Sequence, residues 1–123
     1  MRTGRNPIRA LARRLRWRRL VVRGESMRPA LVPGDRVVVA PLVRLRPGDV
    51  VALHDPERPG ALVVKRLARV ADDQVVVLGD DEVMSVDSRQ YGPVARRSVL
   101  GVVVYRYHPT SRAGRVPRGT LPC

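Results

Sequence analysis

The sequence predicts a mainly β protein: a compact coiled sheet or partly open barrel, led by a short basic N-terminal helix or arm. Three observations carry this. The chain has 123 residues, 44% of them apolar, yet only 3% aromatic and with no Phe. Valine must therefore fill most of the core, and β-branched side chains pack well on pleated surfaces. Short valine-rich runs also follow one another, at 20–23, 35–40, 49–53, 61–70, 74–78 and 99–107, with no long helical pattern between them.

The arm comprises residues 1–19. Residues 1–23 hold nine Arg and no acidic residue, while the remaining hundred carry a net charge of only +4 out of a total of +13. From Pro7 the apolar positions Ile8, Leu11, Leu15 and Leu20 keep a rough helical spacing. Arginines interrupt 8–22 too often for the ~20 apolar residues of a membrane span, and no uninterrupted apolar centre marks a cleavable signal peptide. A basic amphipathic arm is suited to weak contact with an anionic membrane. The expected location is the cytoplasm, or peripheral at the inner face of the membrane.

The runs between 20 and 109 form the expected domain. Pro33-Gly34-Asp35 and Pro47-Gly48-Asp49 repeat one turn chemistry, in which Pro presets φ and Gly permits a positive one. Asp72-Asp73 separates two runs as a hairpin loop would. Residues 110–123, rich in Pro, Gly, Ser and Arg, read as a disordered tail. The single cysteine is Cys123, so the fold needs no internal disulfide. His54 and His108 stand apart from any metal-ligand spacing, and no cofactor is implied. Asp80, Asp81 and Glu82 read as a solvated turn balancing Arg96 and Arg97.

Of the 24 basic residues 23 are Arg, and Lys65 is the sole Lys. A lone lysine in an arginine-rich chain points to a function that needs proton loss, which guanidinium does not undergo. Lys65 interrupts the apolar run 62–67. Burial among Leu62, Val63, Val64 and Leu67 would favour the neutral amine. Ser26 lies between two strand runs, in Gly24-Glu25-Ser26-Met27-Arg28-Pro29. A serine needs a base before it can attack, and a desolvated lysine can be one.

The run Ser26-Met27-Arg28-Pro29-Ala30-Leu31 with Pro33-Gly34-Asp35 resembles the nucleophile box of signal peptidase I, and Val64-Lys65-Arg66 resembles its lysine box. Gly79-Asp80-Asp81, Ser85-Val86-Asp87-Ser88-Arg89 and Tyr91-Gly92-Pro93-Val94 resemble its C-terminal box, a GDN triplet followed by SxDSRxxGPV. The resemblance spans roughly 21–107 and implies the signal peptidase I/LexA catalytic-core fold and a serine endopeptidase using a Ser–Lys dyad. It implies Ser26 as nucleophile, Lys65 as general base, Ser85 orienting the lysine, and Asp87 with Arg89 as a supporting charged pair. The Ser26 N–H would serve the oxyanion, and Met27 would pack beside the substrate groove. At Gly24, where some members have a serine, a side-chain oxyanion donor is missing, and Asp81 replaces an amide.

The short form, without a membrane anchor, is most similar to proteases that mature nickel-type superoxide dismutase, which implies a dismutase precursor as the partner. Two alternatives share the chemistry: a signal peptidase I-like enzyme acting on exported preproteins at the membrane surface, and a LexA-type self-cleaving regulator. The second lacks room for a DNA-binding domain before Ser26. Three Tyr and one Trp give little stacking surface, so no specific nucleic acid is expected.

Overall fold

Each of the six valine-rich runs becomes a strand, and all the pairings are antiparallel. The computed structural model describes residues 16–41 and 44–119. Its elements are β1 (Arg18–Val21), β2 (Arg36–Ala40), β3 (Val50–His54), β4 (Leu62–Val70), β5 (Gln74–Leu78), helix α1 (Ser88–Tyr91), β6 (Val94–Ala95), β7 (Val99–His108) and β8 (Gly114–Arg115). They form one curled, half-barrel sheet in the order β1-β2-β7-β3-β4-β5-β6, with β8 beside β7. The long β7 returns between β2 and β3, tying the two halves of the chain together.

Strand β1 starts at Arg18, so the end of the expected arm forms an edge of the sheet, where Arg18 pairs with Val39. The expected N-terminal helix lies outside the described residues. The core lies on both faces of the sheet. Val50 and Ala52 of β3 join Val37, Val39 and Val103 on one side. Val51 and Leu53 join Leu67, Val75, Val77 and Val102 on the other. A strand covered on both faces reads as an unbroken apolar run, as Val50–Leu53 does.

The repeated Pro-Gly-Asp turns share one construction. Gly34 and Gly48 take positive φ of 92° and 97°, which glycine adopts without steric cost. Each following aspartate folds back onto the turn: Asp35 Oδ2 accepts from Val32 N at 2.9 Å, and Asp49 Oδ2 accepts from Arg46 N at 2.9 Å. Both carboxylates are buried, and both recruit the C-terminal segment. Arg112 makes two bonds to Asp35, at 2.8 and 2.9 Å, and Arg118 reaches Asp49 at 3.2 Å.

The expected disordered tail is therefore corrected for residues 110–119. A 3-10 turn at Thr110–Arg112, the pairing of β8 with β7, and Gly119 N donating to Gly48 O at 3.1 Å dock this stretch on the sheet. Arg112 and Arg118 meet the two buried turn aspartates. A buried carboxylate demands such a partner.

Candidate active site

Alternation along β4 sends Val63, Lys65 and Leu67 to one face and Val64 and Arg66 to the other. Lys65 pairs with Val51 across β3 and is only 5% exposed. Its neighbours on that face, Val51, Val63 and Leu67, belong to one apolar cluster. Desolvation by this burial lowers the lysine pKa and outweighs the opposing pull of Asp87 and Asp55, while the Arg89 charge lowers it further. A buried amine needs a hydrogen-bond partner, and Lys65 Nζ donates to Ser85 Oγ at 3.1 Å.

Ser85 in turn donates to Asp87 Oδ2 at 2.6 Å. A hydroxyl has one proton, and with that proton held by a carboxylate its lone pairs face the lysine. Asp87 is fully buried. Its carboxylate also accepts from Gly79 N at 2.7 Å, Arg89 N at 3.0 Å, Arg89 Nε at 3.0 Å and an Arg89 terminal nitrogen at 2.6 Å. Burial alone would raise its pKa. The Arg89 side chain, then the Gly79 N–H, Ser85 and the Arg89 N–H overcome this and hold the carboxyl well below the usual range. The same residue caps α1 in a reciprocal capping box with Gln90, so one carboxylate fixes the helix, the serine and the arginine together.

Ser26 sits half-buried in the turn after β1. Asp81 N donates to its carbonyl at 2.8 Å. Gly79 is wedged between the two serine segments: a β-carbon there would lie 2.5 Å from Ser85 Cβ, nearer still to Ser85 Oγ, and 2.8 Å from Ser26 O. Glycine is required here for clearance. The structure thus joins Lys65, Ser85, Asp87 and Arg89 in one hydrogen-bonded chain and sets Ser26 against the same glycine. Among the described residues, no hydrogen bond links Ser26 Oγ to Lys65 Nζ, and the Ser26 N–H has no protein acceptor.

Two expectations at the site change. Met27 is 1% exposed and packs with Val22, Leu31, Val37 and Val103. An apolar side chain at the start of this turn anchors it to the core, so Met27 supports the Ser26 turn from beneath and does not line a groove. The acidic turn does not balance Arg96 and Arg97. Asp80 takes Arg66 through two bonds, at 3.1 and 2.7 Å, and Glu82 pairs with Arg89 at 3.0 Å. Gly24 is exposed, with open space around it. His54 and His108 end β3 and β7, both exposed.

Sequence reasoning missed Arg66 as a clamp. Besides Asp80 it donates to Gly48 O at 2.9 Å and Pro117 O at 3.2 Å, joining the acidic turn to the docked tail. It also missed Tyr91, whose buried hydroxyl has no partner among the described residues. Burial, then Asp87, Asp55 and Glu57, pushes its pKa up to about 12. The Lys-Arg doublet was a visible signal for Arg66; nothing in the sequence marked the Tyr91 hydroxyl.

A buried, desolvated lysine wired to a serine and an ionised carboxylate beside a second serine is the equipment of a hydrolase. Residues 7–75 and 67–108 match the family model for signal peptidase, peptidase S26. Related proteins include the mitochondrial inner membrane protease subunit 2 of Schizosaccharomyces pombe, 32% identical over 77% of this chain and 67% of the relative. The mitochondrial ATP-independent inner membrane protease subunit 1b of Arabidopsis thaliana is 29% identical, over 80% of this chain and 73% of its own length. A Synechocystis protein named "Probable signal peptidase I-1" is 26% identical, over 75% and 71%. The chain belongs to the signal peptidase family of peptidases, S26, and is a serine endopeptidase.

Proposed function

We propose that this chain is a signal peptidase-type endopeptidase in which Ser26 attacks and Lys65 is the general base, acting on exported or membrane-presented proteins. The observation that carries the reading is the chain Lys65–Ser85–Asp87–Arg89, which keeps a desolvated amine oriented. A neutral lysine has two N–H donors and one lone pair. One N–H is committed to Ser85, leaving the lone pair to take the Ser26 proton as Oγ adds to the scissile carbonyl. The resulting ammonium passes that proton to the departing amine. The Ser26 N–H, without an acceptor among the described residues, donates to the oxyanion.

Substrate pairing also has a place. Strand β5 pairs with β4 only from Arg66 onward, while β3 covers Leu62–Arg66 on the other side. The half of β4 leading to Lys65 therefore offers a free edge among the described strands, and an extended peptide can add to it through main-chain hydrogen bonds.

The relatives named above are inner membrane proteases and a signal peptidase, which favours substrates presented at a membrane over the narrower dismutase precursor. No helix among the described residues is long and apolar enough to cross a membrane. In this reading the basic arm supplies a reversible contact with anionic lipid, lost at high salt. Co-expression with an exported preprotein and, in parallel, with a nickel superoxide dismutase precursor tests both substrates, with new N-termini mapped by mass spectrometry. Ser26→Ala and Lys65→Arg should each abolish the product. Cleavage at the wild-type rate in Lys65→Arg would exclude the lysine as base.

A further inference from the structure

Beside Ser26 lies a cavity of about 540 Å³ lined by Arg28, Pro29, Val32, Asp80, Asp81, Glu82 and Arg112. It shares no residue with the free edge of β4. Its charges are almost all spoken for. Arg28 pairs with Glu25 at 3.2 Å, Arg112 with Asp35 at 2.8 Å, Asp80 with Arg66 at 2.7 Å and Glu82 with Arg89 at 3.0 Å. Asp81 is the exception. Among the described residues it makes no ion pair, and its Oδ1 accepts only from Met84 N at 3.3 Å, a long bond. Its backbone N–H holds the Ser26 carbonyl at 2.8 Å, so this unbalanced carboxylate stands on the residue that touches the nucleophile's own backbone.

We infer that Asp81 is a specificity-determining residue that holds a Lys or Arg side chain of the substrate, in the first residues past the scissile bond. This rests on the endopeptidase reading above. The acyl portion of the substrate adds to β4, and the departing portion crosses into the cavity, where Pro29 and Val32 contact the aliphatic stem of a basic side chain. The cation then meets the carboxylate that lacks a partner. Asn in the same place keeps the shape and the backbone bond and removes only the charge. It is also the residue of the GDN triplet that this sequence resembles.

The test uses the full chain and internally quenched peptides built on one parent sequence, selected by cleavage from a random library. Lys, Gln or Glu is placed in turn at the first and second positions on either side of the cut. The wild type should cleave the Lys peptide past the cut about fivefold better than the Gln peptide, the size of a partly exposed ion pair, and the Glu peptide worse than both. In Asp81→Asn the Lys-to-Gln ratio should fall to within about twofold. The ratio is read within each variant, so a general loss of activity cancels. An unchanged ratio in Asp81→Asn, no preference in the wild type, or a preference only on the acyl side would overturn the inference while leaving the endopeptidase reading standing. Failure of the wild type to cleave any peptide would overturn both.

Discussion

Replacing Gly79 by Ala tests whether the two serine segments depend on close approach across a single residue. The added β-carbon would lie 2.5 Å from Ser85 Cβ and 2.8 Å from Ser26 O, whereas ordinary contact begins at 3.4 Å. Ser85 must then retreat by about 0.9 Å and the Ser26 carbonyl by about 0.6 Å, and a misplacement near 1 Å costs roughly 10²-fold in rate. A hundredfold loss is about 2.7 kcal/mol of transition-state stabilisation. Gly79 N also donates to Asp87 and Gly79 O accepts from Arg89, so the main chain has little freedom to yield. Overpacking of this kind lowers stability by about 1–3 kcal/mol. The assay is kcat/KM on one cleaved peptide, with Tm measured alongside so that rates are compared between folded proteins. Gly24→Ala is the control, because open space surrounds Gly24. Gly79→Ala within twofold of the wild type, at an unchanged Tm, would refute the clearance argument.

Two further predictions concern charge. Lys65→Met should raise Tm, and by more at pH 6 than at pH 10. The folded lysine has a lowered pKa while the unfolded one titrates near about 10.4, so the unfolded chain binds more protons between those values and wild-type stability rises with pH across that window. Thermal melts across pH that show the same gain throughout would contradict a desolvated lysine. Asp87→Asn should lower stability by about 3–5 kcal/mol through the loss of a buried ion-pair partner. It should also flatten the wild-type loss of stability below about pH 4, since a carboxyl held below its usual range stabilises the fold above that range and ceases to as it protonates. Because the Asp87 charge raises the lysine pKa, the acid limb of the residual kcat/KM profile should move to lower pH; a shift upward would reverse the assigned sign.

The sheet was legible because valine runs and Pro-Gly-Asp turns are local signals, and each acts where it is written. The short strands β6 and β8 were not, since two-residue bridges are decided by what lies opposite them. Val94 is recruited by Val75 of β5, and Gly114 by Arg106 of β7. The docking of residues 110–119 was hidden for a related reason. Arg112 and Arg118 look like any other arginines in a chain that has 23, and their partners Asp35 and Asp49 lie about 70 residues earlier. At the site, residues that resemble known boxes could be named in advance, but the work of Gly79 could not. Its role is the absence of a side chain, visible only once Ser26 and Ser85 stand on either side.

The site resolves a conflict that the sequence alone poses. In the proposed mechanism Lys65 must lose its proton and gains nothing from a nearby carboxylate, since Asp87 favours the ammonium. Yet Asp87 is fully buried and only two bonds away from Lys65, through Ser85. Burial outweighs this pull, and Arg89 eases it further. Its guanidinium contacts Asp87 at 2.6 and 3.0 Å, keeping the aspartate ionised, and its charge offsets part of the Asp87 pull on the lysine pKa. Asp87 has geometric tasks as well: it accepts the Ser85 hydrogen bond, caps α1 and fixes the Gly79 N–H. In the proposed mechanism the orientation of Lys65 thus comes from a charged network, and the lowering of its pKa from burial in the apolar cluster of Val51, Val63 and Leu67. These two supports are separable by mutation, because Asp87→Asn disturbs the first and a polar substitution at Val63 the second.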